Sequence, residues 1–156
     1  MPILCTICAR EGSKGLSNKA LRTLNDKPLI AYTIEQAIRA EIFDNVILST
    51  DSKQIAEKGK SFGADVCFTR PKELATDNSN KMDVIRHALF ETEKIYKKKF
   101  ETIVDLDITS PLRDVSDIKK ALKYFAETKS DNLISASPSK KNPYFNMVEI
   151  INGRVC

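Results

Sequence analysis

The chain has 156 residues, 42% hydrophobic and 29% charged, with a formal net charge of +4. A chain of this size builds a core without disulfide or metal staples, and its composition excludes fibrous, low-complexity and disordered classes. The apolar run Pro2 to Ala9 is far shorter than the ~20 residues of a membrane span and has no basic segment before it. It is therefore neither an anchor nor a signal peptide, and a soluble, cytoplasmic protein is expected.

Ile3 to Ala9 is apolar without alternation, as in a strand covered on both faces. Gly12 and Gly15 break the pattern, and Asn25-Asp26 makes a turn. Pro28 then stands at a first helical position, with Ile30, Ile34, Ala37, Ile38 and Ile42 at helical spacing behind it. Val46 to Leu48 is a second strand that ends at Ser49-Thr50-Asp51. Ser52 is expected to cap a helix carrying Ile55, Ala56 and Phe62, and Gly63 to end it. Val66 to Phe68 is a third strand. A polar loop from Arg70 to Asn80 leads to a helix whose inward stripe is Met82, Ile85, Leu89 and Ile95.

Thr102 to Ile108 is a fourth strand that Pro111 stops. Ser116 or Val115 opens a helix with Ile118, Leu122 and Phe125 inward, and Leu133 to Ala136 is a fifth strand. This alternation predicts one α/β domain over residues 1–156, three αβα layers around a mostly parallel sheet. Tyr144 to Ile151 reads as a last strand, followed by the hairpin signal Asn152-Gly153 and only three further residues. The chain thus reads as the N-terminal part of a longer protein. Cys5 and Cys8 lie inside the first strand and are expected as buried, reduced thiols rather than a zinc or redox pair.

The small cationic excess suits anionic small molecules. Lys97-Lys98-Lys99 and Lys140-Lys141 lack interleaved aromatics and read as solvated surface, so no nucleic-acid partner is expected. In parallel sheets ligands bind beyond the carboxyl ends of the strands, and the segments at that edge are unusual. Ala9-Arg10-Glu11-Gly12-Ser13-Lys14-Gly15 permits a tight turn and close approach of backbone N–H groups. Arg10, Lys14, Lys19 and Arg22 put four cations within thirteen residues, which suits the roughly four negative charges of a triphosphate. The segment is neither a Walker A loop nor a G-x-G-x-x-G fingerprint, and an exposed basic loop is the bland alternative. Asp51 could accept from a ribose hydroxyl or cap the next helix, and the Arg70–Lys81 segment could wrap a base. Asp105 and Asp107 fall on one face of their strand, where burial is costly unless a cation, metal or substrate matches them. His87, mid-helix, is read as a packed or surface histidine.

Four ordered motifs carry a resemblance: Cys8 to Gly15, Ser49-Thr50-Asp51, Arg70-Pro71-Lys72-Glu73-Leu74-Ala75 with Asp77, and Thr109-Ser110-Pro111-Leu112-Arg113. In order and spacing the chain resembles the acylneuraminate cytidylyltransferases, the CMP-sialic acid synthetases and their bacterial relatives, over essentially its whole length. Asp107-Ile108 before Thr109, Lys81, and Asn142-Pro143-Tyr144-Phe145-Asn146 look more like the branch that activates legionaminic and similar nonulosonic acids.

The resemblance implies a Rossmann-like nucleotidyltransferase domain that couples CTP to a nine-carbon α-keto acid sugar, for surface glycan synthesis, and releases pyrophosphate. It implies that Ala9, Arg10, Gly12, Ser13, Lys14, Gly15 and Lys19 hold the triphosphate, with Arg10, Lys14 and Lys19 catalytic. Arg70, Asn80 and Lys81 would border the cytidine; Asp107, Thr109 and Arg113 would face the sugar. Mg²⁺ as cofactor and a homodimer of the full-length protein are also implied, but the family's metal pair and dimer segment belong to a C-terminal portion absent from this chain, so the metal ligands are not identified. Two departures stand out: Ala20 where Asn is common, and Glu11 where Gly is common. The residues alone leave open a sugar-nucleotide-binding glycosyltransferase domain and an inactive nucleotide-binding fragment.

Overall fold

The computed structural model describes residues 1–13, 15–138, 148, 150–152 and 154–155. It divides into two compact units, Met1–Leu122 and Lys123–Cys156. In the first unit β1 (Ile3–Cys8) is the middle strand of a three-stranded parallel sheet, between β4 (Asn45–Ser49) and β5 (Thr102–Asp105). Two short strands, β2 (Thr23–Leu24) and β3 (Lys27–Pro28), form a hairpin with Asn25 and Asp26 at positive φ in its turn.

Helix α1 (Leu29–Ala40) follows β3, α2 (Lys53–Ser61) follows β4, and α3 (Lys81–Tyr96) precedes β5. Alternation in β1 sends Cys5 and Ile7 to one face, where they pack with Ile30 and Ile34 of α1, Ile55 of α2 and Leu48 of β4. Leu4 goes to the other face, with Ile47, Phe100 and the partly buried Leu89 of α3. Both faces are covered, and this is the physical content of the αβα layering expected from the sequence. Helix α4 (Val115–Thr128) contributes Ile118 to the first of these clusters.

Several expectations need correction. Pro28 is the residue before α1, at ψ 142°, rather than inside it. The inward face of α3 is Val84, Ala88 and Thr92, whereas Met82 and Ile95 are exposed. Small residues bring this helix close to the sheet, and Thr92 is tolerated there because its hydroxyl donates to the Ala88 carbonyl at 2.7 Å. Ser52 makes no side-chain cap. In place of the third strand there is one parallel bridge, Ile47 to Asp65. β5 stops at Asp105, three residues early, and Leu133 to Ala136 is not a strand. The hairpin at Asn152 does form, pairing β6 (Ile150–Ile151) with β7 (Arg154–Val155). Of the earlier segment, Tyr144 to Asn146 lies outside the described residues, as do Lys140, Lys141, Asn142 and Pro143.

His87 sits on α3 with its ring edge-to-face against Phe68, centroids 5.3 Å apart, as a packed histidine does. Lys98 and Lys99 of the basic run reach Asp44 and Glu93, each at 2.5 Å. No helix among the described residues is long and apolar enough to cross a membrane.

Candidate active site

Parallel pairing brings three carboxyl ends together: Cys8 lies opposite Ser49, and Thr6 opposite Asp105. The turn leaving β1 is pinned to β4 at two points. The Ala9 amide donates to the Ser49 carbonyl at 3.1 Å, and the Glu11 amide donates to Asp51 Oδ1 at 3.2 Å. Asp51 therefore braces the turn rather than capping α2. Gly12 does not have a positive φ, and a Cβ at Gly12 or Gly15 would meet nothing within 4 Å. The turn centred on Gly12 is tight, closed by the Ser13 amide on the Glu11 carbonyl, but it does not call on glycine's freedom of φ; what both glycines leave is open space against the backbone. Ser13 donates its amide to the Glu11 carbonyl, and the Glu11 side chain is exposed. Lys19 and Ala20 belong to a 3₁₀ turn, Lys19 half-buried and Ala20 buried, so the position usual for Asn here packs into the core. Lys14 lies outside the described residues.

Arg10 reaches across to the loop before α3, its Nη1 donating to the Ala75 carbonyl at 3.3 Å and its Nη2 to Asp77 at 2.5 Å. That loop is internally tied. Ser79 Oγ donates to the Glu73 carbonyl at 2.9 Å and accepts from the Thr76 amide at 3.1 Å. Arg70 enters the loop with only 4% exposure; its Nε donates to Ser49 Oγ at 3.0 Å and its Nη2 to the Ser49 carbonyl. Burial pulls its affinity for a proton below that of an ordinary arginine, a pull that Cys8, Asp51 and Asp105 oppose. Asn80 caps α3, its side chain accepting from the Met82 amide at 2.9 Å.

The two carboxylates at the end of β5 are matched by a cation, as their placement requires. Lys81 Nζ lies 2.9 Å from Asp105 Oδ2 and 3.8 Å from Asp107 Oδ2. Burial is the largest influence and works against the ammonium, but the charge and hydrogen bond of Asp105, with Cys8 and Asp107, together overcome it and hold Lys81 above its usual 10.5. Asp107 is held below the usual 3.8. Desolvation would raise it, and the Thr109 amide (3.0 Å) and hydroxyl (2.8 Å), with Lys81 and Lys19, overcome that. Cys5 and Cys8 are free thiols; Cys5 is buried as expected, whereas Cys8 is half-buried. Desolvation, reinforced by Asp105, pushes the Cys8 thiol up to about 12.

Arg113 is tied inward, donating to Gln36 Oε1 at 3.1 Å and to the Asp107 carbonyl at 2.9 Å. Gln36 completes the brace by donating to the Pro111 and Arg113 carbonyls, both at 2.8 Å. Arg113 and Gln36 also line a cavity of about 330 Å³ with Tyr32 and Arg39. Nothing in the sequence singled out Gln36 beyond its being a polar residue between Ile34 and Ala37 on the inward face of α1.

Asp107 is the candidate oxygen donor here for a magnesium ion, which needs only one or two protein carboxylates beside its waters and the substrate phosphates. Among the described residues no three metal-ligating side chains come together, and the carboxylate pair at the rim already faces an ammonium.

Residues 4–153 match the family model of the cytidylyltransferases. The chain is 49% identical over 153 residues to the CMP-N,N'-diacetyllegionaminic acid synthase of Campylobacter jejuni. It is 46% identical over 153 residues to the post-translational flagellin modification protein B of Campylobacter coli. Each comparison takes in 98% of this chain, which spans 65% of the length of either relative. In fold it resembles a CMP:2-keto-3-deoxy-manno-octonic acid synthetase solved with CTP, at a TM-score of 0.66 and 22% identity over 83% of this chain and 49% of that one. A doubly covered parallel sheet, with cations gathered beyond its carboxyl ends and a family match running almost from end to end, leads to one conclusion: the chain belongs to the cytidylyltransferase family.

Proposed function

We propose that the protein activates a nonulosonic acid of the legionaminic or sialic type with CTP, giving the CMP-sugar and pyrophosphate for a bacterial surface glycan. The observation that carries this reading is the edge of the sheet itself, where Lys81 pairs with Asp105 and Asp107, Lys19 also acts on Asp107, and the charges of Arg10 and Arg70 are felt by one another. Relatives named for legionaminic, pseudaminic and acylneuraminic acids support the substrate class.

The reaction is a displacement at phosphorus. The anomeric hydroxyl oxygen of the sugar bonds to the α-phosphorus of CTP, the bond from that phosphorus to the bridging oxygen breaks, and pyrophosphate leaves with the electron pair. The hydroxyl proton passes to solvent. Such transfers depend on positioning and charge neutralisation rather than covalent catalysis. In this reading Arg10, Lys14 and Lys19, with Gly12, the Ser13 hydroxyl and Gly15, hold the triphosphate, while Ala9, its amide committed to the Ser49 carbonyl, fixes the start of the turn. Arg70, Asn80 and Lys81 border the cytidine; Asp107, Thr109 and Arg113 face the sugar. Arg70 and Arg113, tied to the protein, act as fixed walls. We take the working form to be a cytoplasmic homodimer of the full-length protein.

The test is pyrophosphate release by the full-length protein with CTP and, in turn, sialic, legionaminic, pseudaminic and Kdo acids. Release with one of the nine-carbon acids is expected. Silence with all four, or equal turnover with UTP, sinks the reading.

A further inference from the structure

Asp105 is the last residue of β5, and the middle strand fixes its side chain. Oδ1 accepts from the Thr6 hydroxyl at 3.0 Å and from the Cys8 thiol at 3.6 Å. Both donors belong to β1, and Thr6 is fully buried. Oδ2 is left for the Lys81 ammonium, at 2.9 Å. The side chain of Asp105 is 19% exposed and that of Lys81 is 44% exposed, so the carboxylate lies beneath and the ammonium above it at the rim. A surface ion pair has no need of two inward tethers on its acid. This carboxylate is built into the sheet, and the lysine rests on it.

An ammonium carries three N–H donors. Asp105 and Asp107 take at most two, which leaves one for an incoming group. A lysine free in solvent must give up the rotamers of a four-carbon stem when it binds an anion; one already anchored has lost them beforehand. We propose that Asp105 is a positioning residue, holding the Lys81 ammonium in place for an anionic oxygen of a substrate. This rests on the cytidylyltransferase reading above. The oxygen is a phosphate oxygen of CTP or the carboxylate of the keto acid, and the kinetics below tell which.

The experiment is a double-mutant cycle in the full-length protein: wild type, Asp105→Asn, Lys81→Met and the double variant, with KM measured separately for CTP and for the accepted keto acid. Asp105→Asn is nearly isosteric; should it not fold, Thr6→Val, which removes one tether of the carboxylate, replaces it. Each single variant is expected to raise one of the two KM values about 10- to 100-fold with kcat within about threefold, a misplaced charge costing on that order. The KM that rises names the source of the oxygen. The double variant is expected to be no worse than Lys81→Met, since Asp105 acts through Lys81. Additive penalties, or a Lys81→Met variant with both KM values unchanged, overturn the proposal. Failure of the underlying function looks different, because the wild type itself then releases no pyrophosphate. In that case the same cycle is read on Kd for CTP and for each acid, and non-additivity there supports the anchor while additivity removes it.

Discussion

Arg10 Nη2 donates to Asp77 Oδ1 at 2.5 Å, so that one guanidinium joins the turn after β1 to the loop that precedes α3. The pair is partly open to solvent, and exposed ion pairs contribute only about 0–1 kcal/mol to stability. Arg10→Ala is therefore expected to leave the melting temperature within about 5 °C of the wild type. It should lower kcat/KM for CTP by about 100-fold or more, the usual loss when one fixed donor is withdrawn from developing charge. A variant with near-normal turnover takes Arg10 out of the mechanism.

Arg70 behaves in the opposite way. Its guanidinium is buried and bonded to both the hydroxyl and the carbonyl of Ser49. Arg70→Ala takes its donor from the Ser49 hydroxyl, while the Ser49 carbonyl keeps the Ala9 amide, and leaves a void, at about 1–3 kcal/mol for the lost hydrogen bond plus the lost packing. Urea unfolding should show a lower midpoint with an unchanged slope. Arg70→Lys should recover little, because an ammonium cannot reproduce the two-pronged contact.

Cys8 supplies the pH-dependent prediction. With its thiol at about 12, against an ordinary 9.0, the native chain holds about a thousandfold less thiolate than the unfolded one at pH 8. Peptide-resolved iodoacetamide labelling at pH 8 should find Cys8 at least about 100-fold slower in the native protein than in urea. Equal rates refute the assignment. The folded value lies above the unfolded one, so the contribution to stability is complete below pH 9 and is lost as pH rises towards 12.

Gly59 lies on the face of α2 that meets β4, and a Cβ there would overlap Leu48 Cδ2 and come within 3.8 Å of Ile34 Cδ1. Helix propensity alone favours Ala over Gly by about 1 kcal/mol. Because Leu48 is fully buried, we expect overpacking to win and Gly59→Ala to destabilise by about 1–3 kcal/mol. A rise in the urea midpoint would show that Leu48 has room to move.

The central strand and the cation-rich turn were legible in the sequence because each is a local pattern: an unbroken apolar run, and four positive charges beside two glycines. The acidic pair was legible as well, since two buried-edge carboxylates must be matched, although its partner Lys81 could be found only in three dimensions. What stayed hidden depends on distant pairing. Asp51 finds the Glu11 amide 40 residues away, and Gln36 finds the 111–113 carbonyls 75 and 77 residues on. The phase of α3 was misread because Val84, Ala88 and Thr92 are smaller than Met82 and Ile95, which are exposed. Close approach to the sheet selected small residues over greasy ones. Leu133 and Ile134 looked like a strand, but a strand needs a partner, and no pairing joins them among the described residues.

The placement of β1 between β4 and β5 also sets the order in which the molecule can be made. Of the three strands the middle one is synthesised before its neighbours, and one of its edges waits for a partner 99 residues later, as the Thr6–Asp105 pairing measures. At about 5–20 residues per second that interval is roughly 5–20 s. Throughout it Ile3–Cys8 is an apolar ribbon with unpaired amides, the kind of segment that nascent chains shelter with chaperones. Asp105, the anchor for Lys81, is the last residue of this sheet to be synthesised, so the lysine gains its carboxylate only when the third strand is made.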